Sequence, residues 1–139
     1  MPTIPIHDLT AQASNQAMAE PSIGHWRRLS AVNDERITDI CEGIMDLTAA
    51  LFDVSGRELR SPGRSSTSVA RVRQIGMYVA HVVLRLNMTE IGRGFGRDRT
   101  TVMHACHMIE DMREDPDFDQ IIITAERVTA AAFRYMEAR

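Results

Sequence analysis

Between Glu90 and Ala105 the chain reads EIGRGFGRDRTTVMHA: an apolar pair, Ile91 and Phe95, at helical spacing, then glycines at 92, 94 and 96, then a polar Asp-Arg-Thr-Thr run. Glycine punctuates a helix and Asp98 is a suitable cap for the next one, so the segment predicts two helices joined by a short turn. In such a helix-turn-helix the polar first turn of the second helix can enter a major groove and meet base edges. No other part of the chain points as directly to a function.

The neighbouring segments keep the same helical period. Asn33 or Asp34 caps a helix predicted over about 34–52, carried by Ile37, Ile40, Cys41, Ile44, Leu47 and Leu51. Phe52 to Gly56 and Ser61 to Ser66 bracket a short helical turn around Arg57 to Leu59, within a basic segment expected to be flexible. From Ser68 the positions Val72, Ile75, Val79, Val82, Val83 and Leu86 define a long helix reaching about Leu86. Asn87 and Glu90 match a capping box, Gly94 and Gly96 are expected to break the short helix that follows, and Asp98 starts another, ended at Pro116. A last helix buries Phe118, Ile121, Ile122, Ala125, Val128, Ala132, Phe133 and Met136. No strand-period segment occurs, so the expected fold class is all-α, a bundle of five to six helices containing the helix-turn-helix. Residues 1–32 carry scattered apolar positions and early prolines and read as a flexible N-terminal tail, with Trp26 able to dock or meet a partner; residues 33–139 form the domain.

Charge singles out one region of the chain. The whole carries a net charge of −3, yet Arg57 to His107 holds nine arginines against Glu58, Glu90 and Asp98, while both flanks are acidic. A basic middle between acidic ends predicts one electropositive face. Arg71, Arg73 and Gln74 fall in the first turns of the long helix, where the helix dipole does not favour cations and a phosphate would.

Several chemistries are excluded or unsupported. All 16 basic residues are arginine, which removes the phosphate-loop lysine and any lysine Schiff base. The Gly92-Arg-Gly94-Phe-Gly96 run follows no strand and lacks dinucleotide-loop spacing, so it reads as a turn. His104, Cys106 and His107 point different ways on a helix; at most the two histidines share a face, and no second ligand pair is evident, so no metal or other cofactor is expected. No serine, histidine and acid grouping stands out as catalytic. Cys41 and Cys106 lie in apolar patterns and read as buried thiols of a reducing compartment. There is neither an 18-residue apolar run nor a secretory leader, so a soluble, cytoplasmic protein is expected.

The run from Ser68 to Glu110, SVARVRQIGMYVAHVVLRLNMTEIGRGFGRDRTTVMHACHMIE, resembles the C-terminal DNA-binding domain, domain IV, of the bacterial chromosomal replication initiator DnaA. The shared pieces are Ser-Val-Ala-Arg leading to Arg-Gln, the Glu-Ile-Gly turn entry, and a signature close to FGGRDHTTVLHA, in the same order at nearly the same distances. Flanking helices extend the likeness over roughly residues 33–136. It implies a Trp repressor-like helix-turn-helix, here as a stand-alone module without the initiator's ATPase domain. It further implies that Arg73 and Gln74 grip phosphates, that Asp98, Arg99 and Thr100 approach bases, and that Thr101 meets the backbone. Arg71, Thr89 and Arg97 complete the expected DNA-binding set. Three departures are visible: one glycine of FGGRD is missing, the family histidine before the paired threonines is Arg99, and the linker arginine that enters the minor groove is matched by Ser65, with Arg64 beside it as a substitute. The implied role is non-enzymatic, sequence-specific binding of double-stranded DNA at DnaA-box-like sites, regulating transcription or replication initiation, with no nucleotide and no membrane. The alternative is a module for a protein partner that has lost DNA recognition.

Overall fold

Asp34 and Glu35 open the first helix with negative charge at its positive end, and the stripe Ile37, Ile40, Cys41, Ile44 and Met45 is buried along it. The computed structural model describes residues 34–137; the predicted tail 1–32, with Trp26, lies outside the described residues. These form six helices: α1 Asp34–Phe52, α2 Gly56–Arg60, α3 Thr67–Val82, α4 Met88–Phe95, α5 Arg99–Met112 and α6 Pro116–Glu137. No strand occurs among the described residues. α1 has the predicted bounds, although Leu51 at its end stays 37% exposed and Leu47 only half-buried.

α3 is shorter than its periodicity predicts. The helix ends at Val82, and Arg85 adopts φ 61, a left-handed conformation that returns Leu86 to the core. The Leu86 N–H then donates to the Ala80 carbonyl at 3.2 Å. Leu86 keeps helical spacing in sequence while reaching the core through a turn, which is why the period overran. A branched or long side chain at positive φ is strained by about 1 kcal/mol or more, and asparagine tolerates that region better. Arg85→Asn is therefore expected to raise the unfolding free energy by roughly 0.5–1 kcal/mol. Chemical denaturation checks this, and an unchanged midpoint would show that the turn is unstrained.

The capping box before α4 forms on both sides: the Glu90 amide donates to Asn87 Oδ1 at 2.8 Å and the Asn87 amide to Glu90 Oε1 at 2.9 Å. α5 buries Val102, Ala105, Cys106 and Ile109 and packs on α3 and α4, while α4 also lies on α1. It ends at Met112, so Pro116 does not stop α5 but opens α6, where its missing N–H is not needed. On α6 the buried stripe is narrower than predicted: Ile122, Ala125, Thr129 and Phe133 are inside, whereas Ile121 is 44% exposed and Ala132 faces outward. The Thr129 hydroxyl is satisfied by the Ala125 carbonyl at 2.7 Å.

At the end of α5, Arg113 donates to Asp119 at 2.6 Å, Glu126 at 3.0 Å and the Tyr78 hydroxyl at 3.1 Å, and the Tyr78 hydroxyl itself donates to Glu110. Burial, then the bond to Glu110, pushes the Tyr78 phenol up to about 12. This cluster fastens α3, α5 and α6 together on side chains away from the polar start of α5.

Candidate DNA interface

The turn between α4 and α5 depends on its glycines in three different ways. Gly96 caps α4 at φ 67, ψ 40, and its amide donates to the Gly92 carbonyl, which also accepts from Arg97 N at 2.8 Å. Of the two glycines expected to break the helix, Gly96 ends it but Gly94 does not; Gly94 and Gly92, both in the run read as a turn, lie inside α4. A Cβ on Gly92 would sit 2.6 Å from the Arg97 carbonyl oxygen, and one on Gly94 would collide with Cys41. The two glycines let α4 lie directly against the turn on one side and α1 on the other.

Asp98 occupies the N-cap position with extended backbone, φ −66, ψ 150, but its side chain makes no capping bond. Asp98, Arg99, Thr100 and Thr101 are all exposed, and among the described residues no side-chain partner engages them. They form a polar, outward-facing helix start. Thr89, on the first turn of α4, is exposed as well.

The arginines of α3 behave differently from one another. Arg73 is only 8% exposed; its Nε donates to the Leu59 carbonyl at 2.9 Å, and its Nη2 to the Glu58 carbonyl at 3.1 Å and Ser65 Oγ at 3.3 Å. Burial, and next the nearby Arg97 cation, lower its pKa from the ordinary arginine value. Arg73 therefore lies under the α2–α3 connection, while Gln74 is half-buried beside it. Arg71 Nη1 donates to Gln74 Oε1 at 2.9 Å and meets Met108 Sδ of α5 at 2.8 Å, bridging the two helices. Arg97 reaches back across the turn, its Nη2 donating to the Ser61 carbonyl at 2.7 Å. Arg64 is exposed on the connection and Ser65, held by Arg73, is half-buried. The basic segment expected to be flexible is thus tied down, at Arg60 as well, which binds Glu42 and Asp46 of α1.

Between α3 and α5 lies an open groove of about 290 Å³ lined by Ala70, Arg73, Gln74, Met77, Arg97, Thr101, His104, Ala105 and Met108. Among its members that the sequence-based site did not include are His104 and Met108. Their positions three and seven residues after Thr101 put them on the same helical face, a signal the sequence did contain. The groove holds two guanidinium groups and no carboxylate. The Cys41 and Cys106 thiols are buried, and desolvation pushes them up to about 12 and about 11, so neither is a nucleophile at neutral pH. Among the described residues no group of three His, Cys, Asp or Glu side chains could hold a metal ion, and no helix is long and apolar enough to cross a membrane.

Comparison with known proteins matches this geometry to one family. Residues 41–109 match the family model described as the bacterial DnaA protein helix-turn-helix. The chromosomal replication initiator protein DnaA of Mycobacteroides abscessus is 47% identical over 62 residues, which are 45% of this chain and 12% of that protein. The chain thus spans a small part of the relative's length. In fold it is similar to a DNA replication initiation factor, with TM-score 0.64 and 20% identity over 94% of this chain and 38% of the other. It is similar also to a replication initiator DnaA solved with AMPPCP and single-stranded DNA, with TM-score 0.62 and 20% identity over 93% and 38%. Residues 41–109, which carry the helix-turn-helix of this chain, are thus similar to the helix-turn-helix of bacterial DnaA proteins.

Proposed function

We propose that the chain binds double-stranded DNA at sites related to the DnaA box and acts, without catalysis, as a regulator of transcription or replication initiation on the nucleoid. The observation that carries this reading is the exposed first turn of α5, Asp98 to Thr101, presented by the left-handed Gly96 turn, with Arg97 directly before it and Arg71 bonded to Met108 further along α5. An α-helix start of this kind fits a major groove, where Arg99 matches the O6 and N7 acceptors of guanine and a threonine methyl meets the thymine methyl. The arginines around it add affinity that is blind to sequence and sensitive to salt. Arg99 in place of the family histidine exchanges a short donor that titrates near neutrality for a long permanent cation, and the shortened FGRD turn alters how α5 meets the groove. Both favour a target that differs from the family's own.

Binding to a duplex with the initiator's recognition sequence and to a scrambled duplex, titrated with salt, tests the proposal. The logarithm of affinity should fall with the logarithm of salt concentration at a slope of about −0.9 per phosphate contact, with the first duplex preferred. Absence of binding to either duplex at low salt would overturn it and leave the protein-interaction reading in its place.

A further inference from the structure

The connection from α2 to α3, Ser61-Pro-Gly-Arg-Ser-Ser66, contains no large apolar side chain that could anchor it in the core. Its position is fixed by polar ties instead. From below, Arg73 of α3 donates to the Glu58 and Leu59 carbonyls at the end of α2 and to Ser65 Oγ. From the side, Arg97 of the helix-turn-helix turn donates to the Ser61 carbonyl at 2.7 Å, joining segments 36 residues apart. Neither guanidinium has a carboxylate partner among the described residues, so their donors go to neutral oxygens: Glu58 and Leu59 carbonyls at the end of α2, Ser61 and Ser65 of the connection, and the Gly96 carbonyl beside Arg97. A planar, multi-donor guanidinium suits such a bracket, since it can hold several oxygens of a loop in one geometry.

We propose that Arg97 and Arg73 are positioning residues that lock the 61–66 connection to the helix-turn-helix turn, so that Arg64 and the first turn of α5 engage one duplex as a single rigid unit. The inference rests on the DNA-binding reading for its consequence, but not for its geometry. Arg64 is exposed on this segment, between Ser61, which is bonded by Arg97 of the turn, and Ser65, which is bonded by Arg73 of α3. Arg97 then affects DNA recognition through Arg64, and the two do not act independently.

The test has one arm without DNA and one with it. In limited trypsin digestion of the full chain, followed by mass spectrometry, Arg97→Ala is expected to speed cleavage of the Arg64–Ser65 bond about tenfold, the scale of losing one charged hydrogen bond. Arg97→Lys, shorter of reach and lacking the fork, should accelerate it as well. Unchanged cleavage there overturns the proposal, and so does acceleration spread equally over the Arg71 and Arg73 bonds of α3, which would make Arg97 a general fold residue. In the second arm, discrimination between duplexes that differ only in the bases flanking the core site is measured for Arg64→Ala, Arg97→Ala and the double variant. The double variant is expected to lose no more than either single one, and additive losses overturn the coupling. Failure of the unaltered chain to bind any duplex would sink the DNA-binding reading alone, because the digestion arm decides the bracket by itself.

Discussion

Gly94→Ala is expected to lower the unfolding free energy by about 2–3 kcal/mol, the upper range for inserting a methyl group into a packed interface. The added Cβ would lie 2.6 Å from Cys41 Cβ and closer still to Cys41 Sγ, and Cys41 is wholly buried on α1. No rotamer change on the alanine side can relieve this, since a Cβ has no torsion of its own. The backbones of α1 and α4 must separate. Combining the change with Cys41→Ala removes the sulfur but not the Cys41 Cβ, so recovery should be partial. Gly92→Ala differs in kind: its obstacle is the Arg97 backbone carbonyl, 2.6 Å away, which no side-chain substitution can trim. That variant should therefore lose DNA affinity along with stability, because the helix-turn-helix turn itself has to open. Equilibrium unfolding of the two single variants and the double variant checks the series, and a Gly94→Ala midpoint equal to that of the unaltered chain would refute the close-approach account.

The glycines also mark where sequence reasoning reached its limit. Periodicity located α1 at its observed bounds because an acidic helix start and an apolar stripe are local signals. Gly96 was legible for the same reason, as a helix stop before a polar start. Gly92 and Gly94 were read as turn residues, and Gly94 as a breaker, because their purpose is tertiary: one faces the Arg97 carbonyl and the other Cys41, contacts between residues 5 and 53 positions apart in the chain. The arginines tell a similar story. An arginine on a basic stretch reads as an outward-facing charge, and Arg64 and Arg99 are exposed. Arg73 carries the same charge in the same stretch, yet its guanidinium is consumed by carbonyls of α2, which only the folded path of the chain reveals. The resemblance to domain IV supplied the order of the site residues but could not say which of them faced outward.

Arg99→Ala is expected to reduce the preference for the specific duplex over the scrambled one by about 1–3 kcal/mol, roughly five- to 150-fold, with the salt slope nearly unchanged. Arg99 is the first residue of α5 and is exposed, at the helix end whose dipole disfavours a cation. Asp98 before it makes no capping bond, so this helix start gains less stability from its own side chains than an ordinary cap would provide. A start left without a capping bond, with a long cation at its tip, suits an acceptor supplied from outside, and the paired acceptors of guanine are the ones a planar guanidinium fits best. Restoring the family residue gives the complementary measurement. Arg99→His should change which base is preferred, and its affinity should rise as pH falls through about 6.5, where an imidazole gains charge, a dependence that the arginine cannot produce at the same position. If Arg99→Ala kept full discrimination while losing affinity equally for both duplexes, Arg99 would be a phosphate contact, and base reading would have to be assigned to Asp98 and Thr100 instead.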